Sequence, residues 1–166
     1  MQLNGLILNL PKEIKLLIGA FIIVLSIGFY TGLLFVSGTS SANPNGIEEQ
    51  YLGNEVDEDA KIMKFKKSER EMLSIMHSHV LSMSIIFFLI GIILSITKLN
   101  RNTKIFLMIE PFFSVVLTFG GLLLLWKGIL WMKYVVMFSG MLMTLTFTLS
   151  IAIILFQLFQ EQKVIK

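Results

Sequence analysis

Apolar residues fill four long stretches of the chain, and polar residues gather between them. The stretches run over residues 14–36, 78–97, 105–126 and 134–157. A helix needs about 20 mainly apolar residues to cross the hydrocarbon of a bilayer. Each stretch reaches or approaches that length. The pattern predicts an all-α integral membrane protein. Its fold is an antiparallel bundle of four transmembrane helices, with one long extracytoplasmic loop at 37–70 and a single domain over 1–166. The first stretch is longer than the apolar core of a signal peptide, about 7–15 residues, and reads as a retained anchor.

The polar segments supply boundaries. Ser68-Glu69-Arg70-Glu71 fits a capping box, so the second helix is expected to begin ahead of its apolar part. Extended to Thr97, that helix is roughly 43 Å long at 1.5 Å per residue. Asn43-Pro44-Asn45-Gly46 predicts a turn. The third and fourth spans are joined by WKGILWMK, Trp126 to Lys133, whose two tryptophans and two lysines suit a membrane interface.

Charge adds a topology. Lys12 and Lys15 precede the first span, Lys98, Arg101 and Lys104 separate the second and third, and Lys163 and Lys166 end the chain. The positive-inside rule then places both termini in the cytoplasm, for a multi-pass protein of the inner (cytoplasmic) membrane. Counting every Lys and Arg gives seven on each side, because Lys61, Lys64, Lys66, Lys67 and Arg70 lie in the long loop. The flanks of the first helix therefore carry the assignment. The loop also bears an acidic patch from Glu55 to Asp59, and it reads as a solvated lid or a docking surface for another subunit.

Composition narrows the chemistry. The chain is 55% hydrophobic and 15% charged, against about a quarter charged in soluble domains. Lipid is therefore its solvent. There is no cysteine, which excludes disulfides, thiolate metal sites, iron–sulfur clusters and c-type haem attachment. The net charge of +3 sits mainly at helix ends, with no basic stripe interleaved with aromatics, so no nucleic-acid partner is expected. No nucleophile–base set, phosphate loop or EF-hand spacing is present, and no catalytic activity of the chain's own is predicted.

Helical geometry sorts the remaining candidates. Gly28 and Gly32 form a GxxxG pattern that reads as close helix contact. Steps of about 100° place His77, Ser84, Gly91 and Ser95 on one face of the second helix. Small residues mark packing faces in lipid, so this face is expected to look into the bundle. His79 lies about 200° away, among Met72, Met76 and Met83. The two histidines are therefore separate half-sites. His77 is the candidate axial ligand of a b-type haem, with Met132 or Met137, or another chain, completing the coordination. His79 with Met76 and Met83 is a candidate Cu(I) set, although Met also packs readily in apolar cores.

Glu110 shares a face with Ser114, Thr118 and Gly121. An acid at mid-span costs about 2.5–3.5 kcal/mol on insertion scales. The expected arrangement is a carboxylate near the cytoplasmic interface, bonded to Lys, Arg or a freed amide. The alternative is a proton-relay or quinone-site acid. Pro111 marks a kink or a helix start. Glu110 and the histidines fall near opposite faces of the bilayer, so no shared metal is expected.

The leading functional expectation is a membrane-embedded subunit of an electron-transfer or respiratory-type complex, carrying haem b near the outer leaflet. A non-catalytic accessory or assembly subunit without a cofactor is the alternative. A small transporter or copper-handling protein is a third. Other membrane subunits, a second copy of the chain, and lipid are the expected partners.

Overall fold

The computed structural model describes residues 3–40, 43–55 and 62–160. A 3-10 turn at Leu6–Asn9 leads into α1 (Lys12–Ser40), followed by α2 (Pro44–Leu52), α3 (Glu69–Ser95), α4 (Arg101–Trp126) and α5 (Met132–Leu158). The described residues contain no strand. Four helices, α1, α3, α4 and α5, are long and apolar enough to cross a membrane. The protein is an all-α, multi-pass membrane bundle.

Polar caps extend these helices beyond their apolar stretches. The Ser68 backbone donates to Glu71 Oε2 at 2.8 Å, and Glu71 N donates to Ser68 Oγ at 3.3 Å. This reciprocal pair satisfies two donors that the first turn of α3 leaves free. Asn100 Oδ1 likewise accepts from Thr103 N at 2.8 Å and starts α4. The helix start expected at Pro111 is therefore corrected. Pro111 lies buried inside a continuous α4, because the cap, Asn100, sits eleven residues earlier and a proline removes only one helical donor. The turn expected at Asn43-Pro44 is corrected as well. Asn43 Oδ1 accepts from Gly46 N at 2.8 Å and caps α2, with Pro44 at its first position, where the missing N–H costs nothing.

The two sides of α4 pack differently. Against α5 it presents small and hydroxyl residues. Thr118 Oγ1 and Ser139 Oγ lie 2.8 Å apart, and Gly121 lies against Val136. Close approach of this kind holds helices together where lipid is as apolar as the core. α3 instead buries larger groups. Met72, Phe87, Ile90 and Leu94 are buried, and Met76 and Met83 pack beside them. Their spacing of three and four residues is that of a helix seam. α1 docks through Ile22 and Phe29. Phe29 stacks on Phe147 of α5, with centroids 3.8 Å apart. Phe87 of α3 meets the same ring edge-on at 6.3 Å.

Both ends of the bundle are tied. At the end bearing the termini, Ile7 N donates to Ile96 O at 3.0 Å and Gln157 Oε1 accepts from Lys98 N at 2.7 Å. At the other end the segment 43–70 folds over the bundle. Glu48 pairs with Lys133 at 2.6 Å. Trp126 Nε1 donates to Lys67 O at 2.8 Å, while the Lys66 ammonium sits 5.2 Å from the Trp126 ring. Gly53 adopts φ +86°, and a Cβ there would meet Lys66 N at 2.8 Å. Most of the acidic patch of the loop, Val56 to Asp59, lies outside the described residues, as does Lys61. The described part of the loop is a cap with its own helix, and burial among its residues pushes the Tyr51 phenol up from its ordinary value.

Candidate functional site

The inward orientation expected of His77 is corrected: His77 and His79 are both exposed. His79 leans on Phe119 of α4, ring centroids 5.1 Å apart, with Nδ1 placed 2.9 Å from Ile75 O. The small-residue stripe misled because α3 packs through its large residues. His79 shares the spacing of Met72, Met76, Met83, Phe87, Ile90 and Leu94, and that seam turns towards the bundle while His79 itself stays exposed at its edge. On the stripe itself, Gly91 is buried and Ser84 half-buried, while the end carrying His77 faces out.

Met76, Met83, Met132 and Met137 are all partly buried and packed against the apolar core. His77 is exposed, whereas the two methionines of α5 are partly buried. Among the described residues no three of His, Cys, Asp and Glu cluster as metal ligands would. Gly28 and Gly32 are exposed on α1, and a Cβ on either would meet nothing within 4 Å.

Glu110 is the polar group most at odds with its surroundings. It is 8% exposed. Ser114 Oγ donates a hydrogen bond to its Oε1. Oε2 is buried and has no hydrogen-bond partner among the described residues. The expected bond to a nearby lysine is corrected. Lys104 turns back to the α3–α4 turn, where it donates to Thr97 O at 2.7 Å, Asn4 Oδ1 at 2.9 Å and Ser95 O at 3.0 Å. Those carbonyls end a helix and attract a cation, which leaves the carboxyl without one.

The flank of α4 beside Glu110 is an open groove lined by Asn102, Ile105, Phe106, Ile109 and Phe113. The helices packed on α4 bring no charge to this depth. α3 from Val80 to Ser95 and α5 from Val135 to Leu158 contain no Asp, Glu, Lys, Arg or His. His79 reaches α4 at Phe119, nine residues from Glu110, or roughly 14 Å along the axis at the helical rise.

The cap at the other end was not visible as a unit in the sequence. Its one available signal was Glu48 and Asn45, both on the helix started by Asn43, as partners for the lysine of the α4–α5 turn. Lys133 reaches both of them.

A family model described as a transmembrane helical domain matches residues 41–165, which takes in α2 to α5. Neither a curated protein nor a solved structure matches the chain. The family match spans the cap and three of the four long helices, and the protein therefore belongs to the Aq_1264_TM family of transmembrane helical domains.

Proposed function

We propose that the protein is a non-catalytic accessory subunit of a membrane complex that assembles through α1 with a second copy of itself. The observation that supports this reading is the open Gly28–Gly32 face. It lies beside the stripe through which α1 docks on its own bundle, and a Cβ on either glycine would meet nothing within 4 Å. Glycines four apart let two parallel helices approach closely. Two copies inserted in the same orientation present their α1 helices in parallel. Both termini are placed in the cytoplasm of the inner membrane, following Lys12 and Lys15 at the start of α1.

Size analysis in a mild detergent tests the reading. The wild type is expected as a dimer, and Gly28→Leu with Gly32→Leu as a monomer. A wild type that runs as a lone monomer, with no other chain bound, overturns it. The absence of native cysteine permits a second check in membranes. A single Gly32→Cys variant should form a disulfide between copies.

One observation favours a second reading, a b-type haem held between chains and serving electron transfer. His77 presents an exposed imidazole on the outer side of α3, open to a group shared with a neighbour. Met132 and Met137 pack towards the core, so the other axial ligand would come from that neighbour. An absorption spectrum of protein from haem-replete membranes decides it. A Soret band abolished by His77→Ala and only perturbed by His79→Ala supports the reading, and no band ends it. Metal analysis of the same sample tests copper at His79, Met76 and Met83.

A further inference from the structure

A carboxyl inside a bilayer has few ways to be satisfied. It can pair with a cation, accept several hydrogen bonds, or hold a proton. At Glu110 the first is missing, since Lys104 is committed to three oxygens at the α3–α4 turn. The second is half met, with Ser114 serving Oε1 and no described residue serving Oε2. No charged residue faces it from α3 over Val80 to Ser95, from α5 over Val135 to Leu158, or from α1 over Leu16 to Ser40. The third way remains.

We propose that Glu110 is a proton-binding site on the flank of α4, holding a proton on Oε2 and exchanging it through the groove lined by Asn102, Ile105, Phe106, Ile109 and Phe113. The neighbouring turn fits this role. Pro111 has no N–H to offer the Leu107 carbonyl, so that turn contains an acceptor short of a donor. A proton on Oε2 turns the carboxyl into a donor on the same turn, and helical side chains lean in that direction, towards the N-terminus. Glu110 itself lines the groove, which runs along this flank from Asn102 to Phe113. Asn102 lies in the first turn of α4, at the end of the bundle bearing the termini, about 12 Å from Glu110 at 1.5 Å per residue. Proton uptake there converts a carboxylate and a hydronium ion into a carboxylic acid and water. Release reverses it.

This site is independent of assembly through α1, and its test reads a different signal. Dicyclohexylcarbodiimide is apolar, enters the bilayer and reacts with a protonated carboxyl. The acid proton moves to a carbodiimide nitrogen, the carboxyl oxygen bonds the central carbon, and the adduct rearranges to a stable N-acylurea without a leaving group. Full-length protein in lipid vesicles should be modified at Glu110, as read by peptide mass. Glu110→Gln should lack the modification. Infrared spectra of the wild type should show a protonated-carboxyl carbonyl band that shifts in D2O and disappears in Glu110→Gln. No modification of Glu110 in acid medium, or no such band, overturns the proposal. A band that does not shift in D2O overturns exchange through the groove. Both wild-type readouts stand even if the variant fails to fold.

Discussion

The Phe29 ring of α1 lies flat on the Phe147 ring of α5, with centroids 3.8 Å apart and planes 10° from parallel. Tyr30 adds a hydroxyl contact to Thr148 at 2.8 Å. These neighbours hold the middle of a span whose remaining surface is mostly exposed. Aromatic pairs contribute about 0.5–1.5 kcal/mol beyond the area they bury. Phe29→Ala should therefore release α1 from the bundle before the other helices separate. A single cysteine introduced at Phe21, half-buried in the native chain, should react with a thiol reagent faster in the Phe29→Ala background. Unchanged reactivity would show that Ile22 alone suffices.

Gly121 should not tolerate enlargement. A Cβ at that position would stand 2.9 Å from Val136 Cγ2, closer than packed carbons lie. Overpacking of a filled interface costs about 1–3 kcal/mol. Gly121→Ala should lower thermal stability in detergent, and Val136→Ala in the same chain should recover part of the loss. Additive losses in the double variant would contradict the contact.

Lys104 should matter for folding at the end bearing the termini. Its ammonium serves Thr97 O, Ser95 O and Asn4 Oδ1. Removing a charged donor from partly buried acceptors costs about 1–3 kcal/mol. Lys104→Met keeps the stem and loses the donor. It should lower thermal stability and speed backbone hydrogen exchange of Gly5 and Ile7, which bond to Thr97 and Ile96. Arginine at the same position should rescue most of both effects.

Tyr51 gives the cap a dependence on alkali. Burial raises its phenol above the ordinary value of about 10. A group raised in the folded state gives stability that is whole below the unfolded value and is lost as pH rises through the folded one. The cap should therefore loosen only above about pH 10, as Tyr51 is driven to ionise. Tyrosine absorbance followed against pH should show a late component that Tyr51→Phe removes. A Tyr51 that titrates with an exposed phenol would contradict its burial.

The fold was largely legible in the chain, for reasons visible at particular residues. Long apolar runs in lipid have little choice but helix, since every backbone group must be satisfied internally. The starts of α3 and α4 depend on local hydrogen bonds within four residues, Ser68 with Glu71 and Asn100 with Thr103. α2 escaped because Asn-Pro opens turns and helices alike.

The candidate site was legible only in part. Glu110 and Ser114 sit one turn apart on α4, so their pairing follows from helical repeat alone. The fate of Lys104 does not, since its partners arrive from α3 and from the N-terminal segment. The inward orientation of His77 failed for a related reason. Small residues mark close helix contacts in lipid, and that rule holds for α4 against α5. It misplaces α3, where methionine and aromatic side chains make the contact.

Local chemistry, read from the sequence, determined the membrane class, the four spans, the α3 cap and the position of an acid within a span. The tertiary structure alone decided which face of each helix turned inwards, where each lysine went, and which oxygen was left without a partner. Those outcomes depend on side chains brought together from distant parts of the chain. No periodicity within one helix specifies what the next helix will offer it.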